Sequence, residues 1–166
     1  MKKLLFGVLL LSVMLVVGTG FKEDPVLTDL QIGTEIPEFS LRNSYNTLEI
    51  GVTGDKYTLI TFWDSFDAEG RMACNKYNEL LRSDSKIKES LRFAAINLDS
   101  SETIYQEIVI NDNLDTTLQY HPDKSVCNQL IKLYGLDKGF GSVLISPKGK
   151  IVAFNPSTEL LRSLEV

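Results

Sequence analysis

Two rhythms of apolar and polar positions alternate along this chain, one with a period of two residues and one near 3.6, and each switch between them marks a change of element. Gly33-Thr34-Glu35-Ile36-Pro37-Glu38-Phe39-Ser40-Leu41 alternates as an edge strand does, with Pro37 near its start. Asn43-Ser44-Tyr45-Asn46 is a turn cluster, and Thr47–Ile50 returns as the second strand of a hairpin. Thr58–Trp63 is a continuous apolar strand, and from Asp67 the pattern turns helical. Gly70, Ala73, Cys74, Tyr77, Leu80 and Leu81 then share one face.

Ile87–Leu91 reads as a short helix and Phe93–Asp99 as a buried parallel strand. Ile104, Tyr105, Ile108 and Val109 mark another helix that stops near Asn111-Asp112-Asn113. Leu118–Tyr120 is a brief extended piece, followed by a helix over Lys124–Tyr134 with Gly135 as its stop. Ser142–Ser146 and Ile151–Phe154 flank the turn Pro147–Lys150 as a hairpin, and Asn155-Pro156 supplies a cap and first position for a last helix through Leu164. Strand-helix-strand units followed by a hairpin and a helix predict an α/β fold: a central mixed sheet with helices on both faces and an N-terminal hairpin.

The first residues change the picture. Met1-Lys2-Lys3 precedes an apolar run from Leu4 to Val17, and the small residues Gly18-Thr19-Gly20 follow. A membrane span needs about 20 apolar residues, so residues 1–20 are expected to be a signal peptide, 21–32 a short linker and 33–166 the folded domain. Phe21 stands where a lipoprotein signal would need a Cys. The protein is expected to be exported, periplasmic or extracellular, tethered to a membrane only if the leader is retained. With a net charge of −5 and no basic cluster, nucleic acid is not an expected partner.

The segment Phe62-Trp63-Asp64-Ser65-Phe66-Asp67-Ala68-Glu69-Gly70-Arg71 resembles the active-site segment of TlpA-like thiol-disulfide oxidoreductases, Phe-Trp-Ala-Ser-Trp-Cys-x-x-Cys-Arg. The entry Gly33-x-x-Ile36-Pro37-x-Phe39-x-Leu41 is similar to that of the redoxin branch of the thioredoxin-like superfamily. The resemblance implies a thioredoxin-like fold over roughly 33–164, and it places Asp67 and Gly70 where the two cysteines belong. It also implies a cis-proline before the closing hairpin, where this chain has Phe140 within Gly139-Phe140-Gly141. A cis bond before a non-proline costs about 2.5–4 kcal/mol, so an ordinary trans path is expected there. Dithiol and proline are lost together, which points to a degenerate member.

No catalytic residue is therefore expected. Asp67 is expected to cap the helix, and Asp67 with Glu69 is better explained by the helix dipole than by paired acid-base chemistry. Phe66, Asp67, Glu69, Arg71 and Phe140 would form any binding surface, with Arg71 otherwise a plain surface residue, and Trp63 is expected in the core. Cys74 and Cys127 lie on apolar helical stripes and are expected to be free, since the fold implied by the resemblance would place their helices on opposite sides of the sheet. His121, the single histidine, has no ligand spacing around it. With no phosphate cradle either, no metal or cofactor is expected. The reading is a non-catalytic exported module for a protein or peptide partner; the alternative is a thiol-disulfide oxidoreductase or peroxidase using Cys74 or Cys127.

Overall fold

The computed structural model describes residues 30–139 and 141–164. The expected leader, residues 21–29 of the linker and Phe140, with its expected trans bond, lie outside the described residues. β1 (Phe39–Arg42) and β2 (Thr47–Ile50) form a separate antiparallel hairpin. Five strands make the central sheet: β3 (Tyr57–Trp63), β4 (Leu91–Asn97), β5 (Gln119–Tyr120), β6 (Ser142–Ile145) and β7 (Ile151–Phe154). Their order is β5-β4-β3-β6-β7, with β3, β4 and β5 parallel and the β6-β7 hairpin antiparallel. This is the mixed sheet with an N-terminal hairpin that the sequence pattern implies.

Side chains in β3, β4 and β6 alternate between two cores, as the pleat requires. Leu59, Trp63, Phe93, Ala95 and Leu144 face α1 (Ala68–Ser83), α3 (Glu102–Asn111) and α5 (Thr158–Arg162). Ile60, Phe62, Ala94, Ile96, Val143 and Ile145 face the β1-β2 hairpin and α4 (Lys124–Tyr134). Both faces being covered is why these strands read as unbroken apolar runs. The short α2 (Ile87–Ser90) leads straight into β4. Gly135 ends α4 in the left-handed conformation at φ 63°, its N–H donating to Ile131 O, as a chain needs where a side chain would strain the backbone.

Several boundaries differ from the sequence pattern. The alternation over 33–41 yields only Phe39–Arg42 as a strand, because Pro37 offers no N–H to a ladder. The stretch before it crosses instead to the outer side of β7, with Gly33 N donating to Ile151 O at 2.8 Å and Ile151 N to Thr34 O at 2.9 Å. At the opposite edge of the sheet, Asn43 Nδ2 in the β1-β2 turn donates to Thr117 O and Gln119 O at 3.1 and 3.0 Å. β4 ends at Asn97 rather than Asp99, since both polar side chains are drawn into a network described below. Asn155 does not cap the last helix: it sits at φ 44°, and its Oδ1 accepts from Ser142 N at 2.7 Å. Ser157 is the cap, accepting from Leu160 N at 3.2 Å. Among the described residues no helix is long and apolar enough to cross a membrane.

Candidate functional site

The parallel strands β3, β4 and β5 all finish at one end of the sheet, where a crevice outside the strand ends is the usual ligand position in open α/β folds. The loop from β3 into α1 lies there. Asp64, a residue the sequence reading passed over, organises it: Oδ1 accepts from the N–H groups of Phe66 and Asp67, each at 2.8 Å. Ser65 is held from the neighbouring strand end, its N–H 3.0 Å and its Oγ 2.6 Å from the Asp99 carboxylate. The donors at 65, 66 and 67 are thus taken by carboxylates of the chain itself.

Asp67 occupies the N-cap position of α1 with extended backbone, but its side chain makes no capping bond. This corrects the sequence expectation, and the reason is local: the carboxylate turns under the helix, where Oδ2 is buried without a hydrogen-bond partner. That oxygen fills the space a side chain at Gly70 would need. A Cβ on Gly70 would collide with Asp67 Oδ2 and stand 3.0 Å from Phe62 O and 3.1 Å from Trp63 Cβ. The two positions that the resemblance assigns to a dithiol are in this way filled by one residue.

Of the other surface candidates, Phe66 is 92% exposed and Glu69 lies exposed in the first turn. Arg71 is neither a plain surface residue nor a free cation. It forks onto Asp112 at the end of α3, with Nη2 2.8 Å from Oδ2 and 3.0 Å from Oδ1. Trp63 is fully buried, as expected, its Nε1 lacking a partner.

Both cysteines are free and buried. Cys74 is completely enclosed on the α1 face, with the Gln119 amide 3.8 Å from sulfur. Burial, against a modest opposing effect of that amide, pushes its thiol up to about 12. Cys127 sits on α4 beneath the other face and donates from Sγ to Pro122 O at 3.4 Å. Its pKa is also raised, by burial first and then by Asp123. Neither is an activated thiol, for which a depressed pKa and access are needed.

A hydrogen-bonded chain runs on from the loop. Asn97 Nδ2 donates to Asp99 Oδ2 at 2.8 Å, and Asn97 Oδ1 lies 2.8 Å from His121 Nδ1. The His121 ring stacks on Tyr105 with centroids 4.7 Å apart. No group of three His, Cys, Asp or Glu side chains able to hold a metal ion occurs among the described residues. The sequence signal for the chain was present in Asn97-x-Asp99 at a strand end, but nothing in it shows that His121 and Ser65 arrive there.

No family model and no curated protein matches the sequence. Solved structures do. A thioredoxin-like protein from Parabacteroides distasonis is 30% identical with a TM-score of 0.66, over 80% of this chain and 93% of its own. The chain belongs to the thioredoxin-like family. Two further thioredoxin-like structures carry the fold at lower identity. The thioredoxin domain of a thiol-disulfide oxidoreductase from Bacteroides vulgatus is 18% identical with a TM-score of 0.65, covering 81% of this chain and 96% of that one. A thiol-disulfide oxidoreductase from Bacteroides fragilis is 24% identical with a TM-score of 0.62, covering 78% and 95%.

Proposed function

We propose that this thioredoxin-like protein is an exported, non-catalytic binding module in which the fold survives without its dithiol chemistry. The observation that carries this reading is the state of the β3-α1 loop. The N–H groups of the loop that leads into α1, at 65, 66 and 67, are taken by Asp64 and Asp99, and the space of a second thiol is filled by the Asp67 carboxylate. The partner is a protein or peptide, and exposed Phe66 is its first point of contact.

A second reading has support of its own: the names of the structurally similar proteins from Bacteroides favour a thiol-disulfide oxidoreductase. Chemistry would then have to run through Cys74 or Cys127. Against it stands the raised pKa of both thiols, which leaves little thiolate at neutral pH. Insulin reduction and hydroperoxide reduction by the purified protein separate the two. Activity no higher than a boiled control is the expected result. Turnover abolished by Cys74→Ser or Cys127→Ser would establish the oxidoreductase and identify its thiol.

A further inference from the structure

A cleft of about 750 Å³ opens beside the ends of β4 and β5, between the β1-β2 turn and the first turns of α3 and α4. It is distinct from the β3-α1 loop, and its walls include Arg42, Glu102, Tyr105, His121 and Asp123. What sets it apart is the fixed state of His121. The Asn97 amide cannot be reversed: its nitrogen donates to the Asp99 carboxylate at 2.8 Å, and its oxygen accepts from the Asp99 N–H at 3.1 Å. Asn97 Oδ1 is therefore an acceptor, and His121 Nδ1, 2.8 Å away, must carry the proton.

In the neutral ring the lone pair then resides on Nε2. Among the described residues nothing hydrogen-bonds that nitrogen, and stacking on Tyr105 holds the ring plane in place, the two planes only 9° apart. Burial keeps the imidazole pKa below its ordinary value, although Glu102 and Asp99 oppose the shift. A pre-set acceptor thus shares the cleft with the carboxylates of Glu102 and Asp123. Arg42, at the end of β1, exposed and without an ion pair among the described residues, adds a cation to the lining. Such a wall pattern asks for a ligand that donates at one end and accepts at the other.

We propose that this cleft binds a small zwitterion, an amino acid or a short peptide, with its ammonium donating to His121 Nε2 and Glu102 and its carboxylate on the Arg42 guanidinium. A metal ion fits less well, since no three ligand side chains are grouped there. The proposal does not rest on the module reading, because the cleft uses neither thiol and none of the residues of the β3-α1 loop.

Because His121 is the only histidine of the chain, its ring nitrogens give private signals in ¹⁵N-edited NMR of the full chain made without a histidine tag. The ligand-free protein is expected to show the Nδ1–H tautomer. Titration with L-alanine and with L-alanyl-L-alanine should move the Nε2 resonance saturably, and the tighter of the two tells free amino acid from peptide. n-Butylammonium or butyrate alone, or either zwitterion with Arg42→Ala, should bind at least about tenfold more weakly, the equivalent of one ion-paired end. An Nε2–H tautomer in the free protein would overturn the proposal. So would no saturable shift with either zwitterion up to about 10 mM, or affinities indifferent to Arg42→Ala.

Discussion

The residue with the most unusual environment is Asp67, whose buried Oδ2 has no partner and whose neighbour Gly70 has no room for a side chain. Because it forms no capping bond, Asp67→Ala is expected to leave stability unchanged or raise it, since it removes a buried oxygen whose hydrogen bond is unmade. Asp64→Ala, which strips a charged acceptor from two N–H groups, should cost about 1–3 kcal/mol. Urea melts of the two variants measure the contrast, and a larger loss at Asp67 would restore it as the cap. Cys74 gives a second residue-scale expectation. Its folded pKa lies above the ordinary 9.0, at about 12, so the unfolded chain releases its proton first as pH rises. The stability linked to this thiol is therefore complete below pH 9 and is lost as pH climbs from 9 toward 12. His121 acts at the other end, because its folded pKa is lowered from 6.5: the unfolded chain takes the proton first, and stability falls as pH drops below that value. Denaturation midpoints should decline above pH 9 in the wild type and less steeply in Cys74→Ala. At pH 8 Cys74 should react with iodoacetamide more slowly in the folded protein than in urea-unfolded chain, because it is enclosed and held protonated.

Between elements, the tie to test is Arg71–Asp112, which fastens the first turns of α1 to the end of α3. The Arg71 and Asp112 side chains are 34% and 18% exposed, so solvent screens the pair, and a coupling of about 0.5–1 kcal/mol is expected from a double-mutant cycle of Arg71→Ala and Asp112→Ala. Coupling near zero would return Arg71 to the free surface. Elements were the most legible level of the sequence. The strand 58–63, the stripe of α1, the helix 124–134 with its Gly135 stop and the closing hairpin all follow from periodicity and turn residues, because each obeys a local rule. The site was less legible for a physical reason. Asp64, Asp99, Asn97 and His121 are brought together by the parallel register of β3, β4 and β5, a non-local pairing that no window of sequence contains. Asn155 misled because its side chain bonds Ser142, 13 residues earlier in the chain, rather than the helix it precedes.

At the scale of the whole molecule, the sheet divides the apolar interior into two cores; Cys74 belongs to one, and Cys127 lies on α4, whose Leu130 and Tyr134 belong to the other. Non-reduced peptide mapping is accordingly expected to show no Cys74–Cys127 link, and its appearance would mean that the two sides communicate around β5. The stretch that precedes β3 has a part in this architecture beyond its own hairpin. It touches the sheet at both flanks, through Gly33 and Thr34 on β7 and through Asn43 on the backbone at 117–119. It acts as a clasp against polymerisation: with it in place, neither flank presents a full row of unsatisfied backbone groups on which another copy could grow a strand. A chain starting at residue 51 would lose both guards at once, together with the core side chains of Leu41, Leu48 and Ile50, and should self-associate as concentration rises in light scattering, whereas Asn43→Ala, which leaves Asn46 Nδ2 on Thr117 O at 3.0 Å, should remain monodisperse.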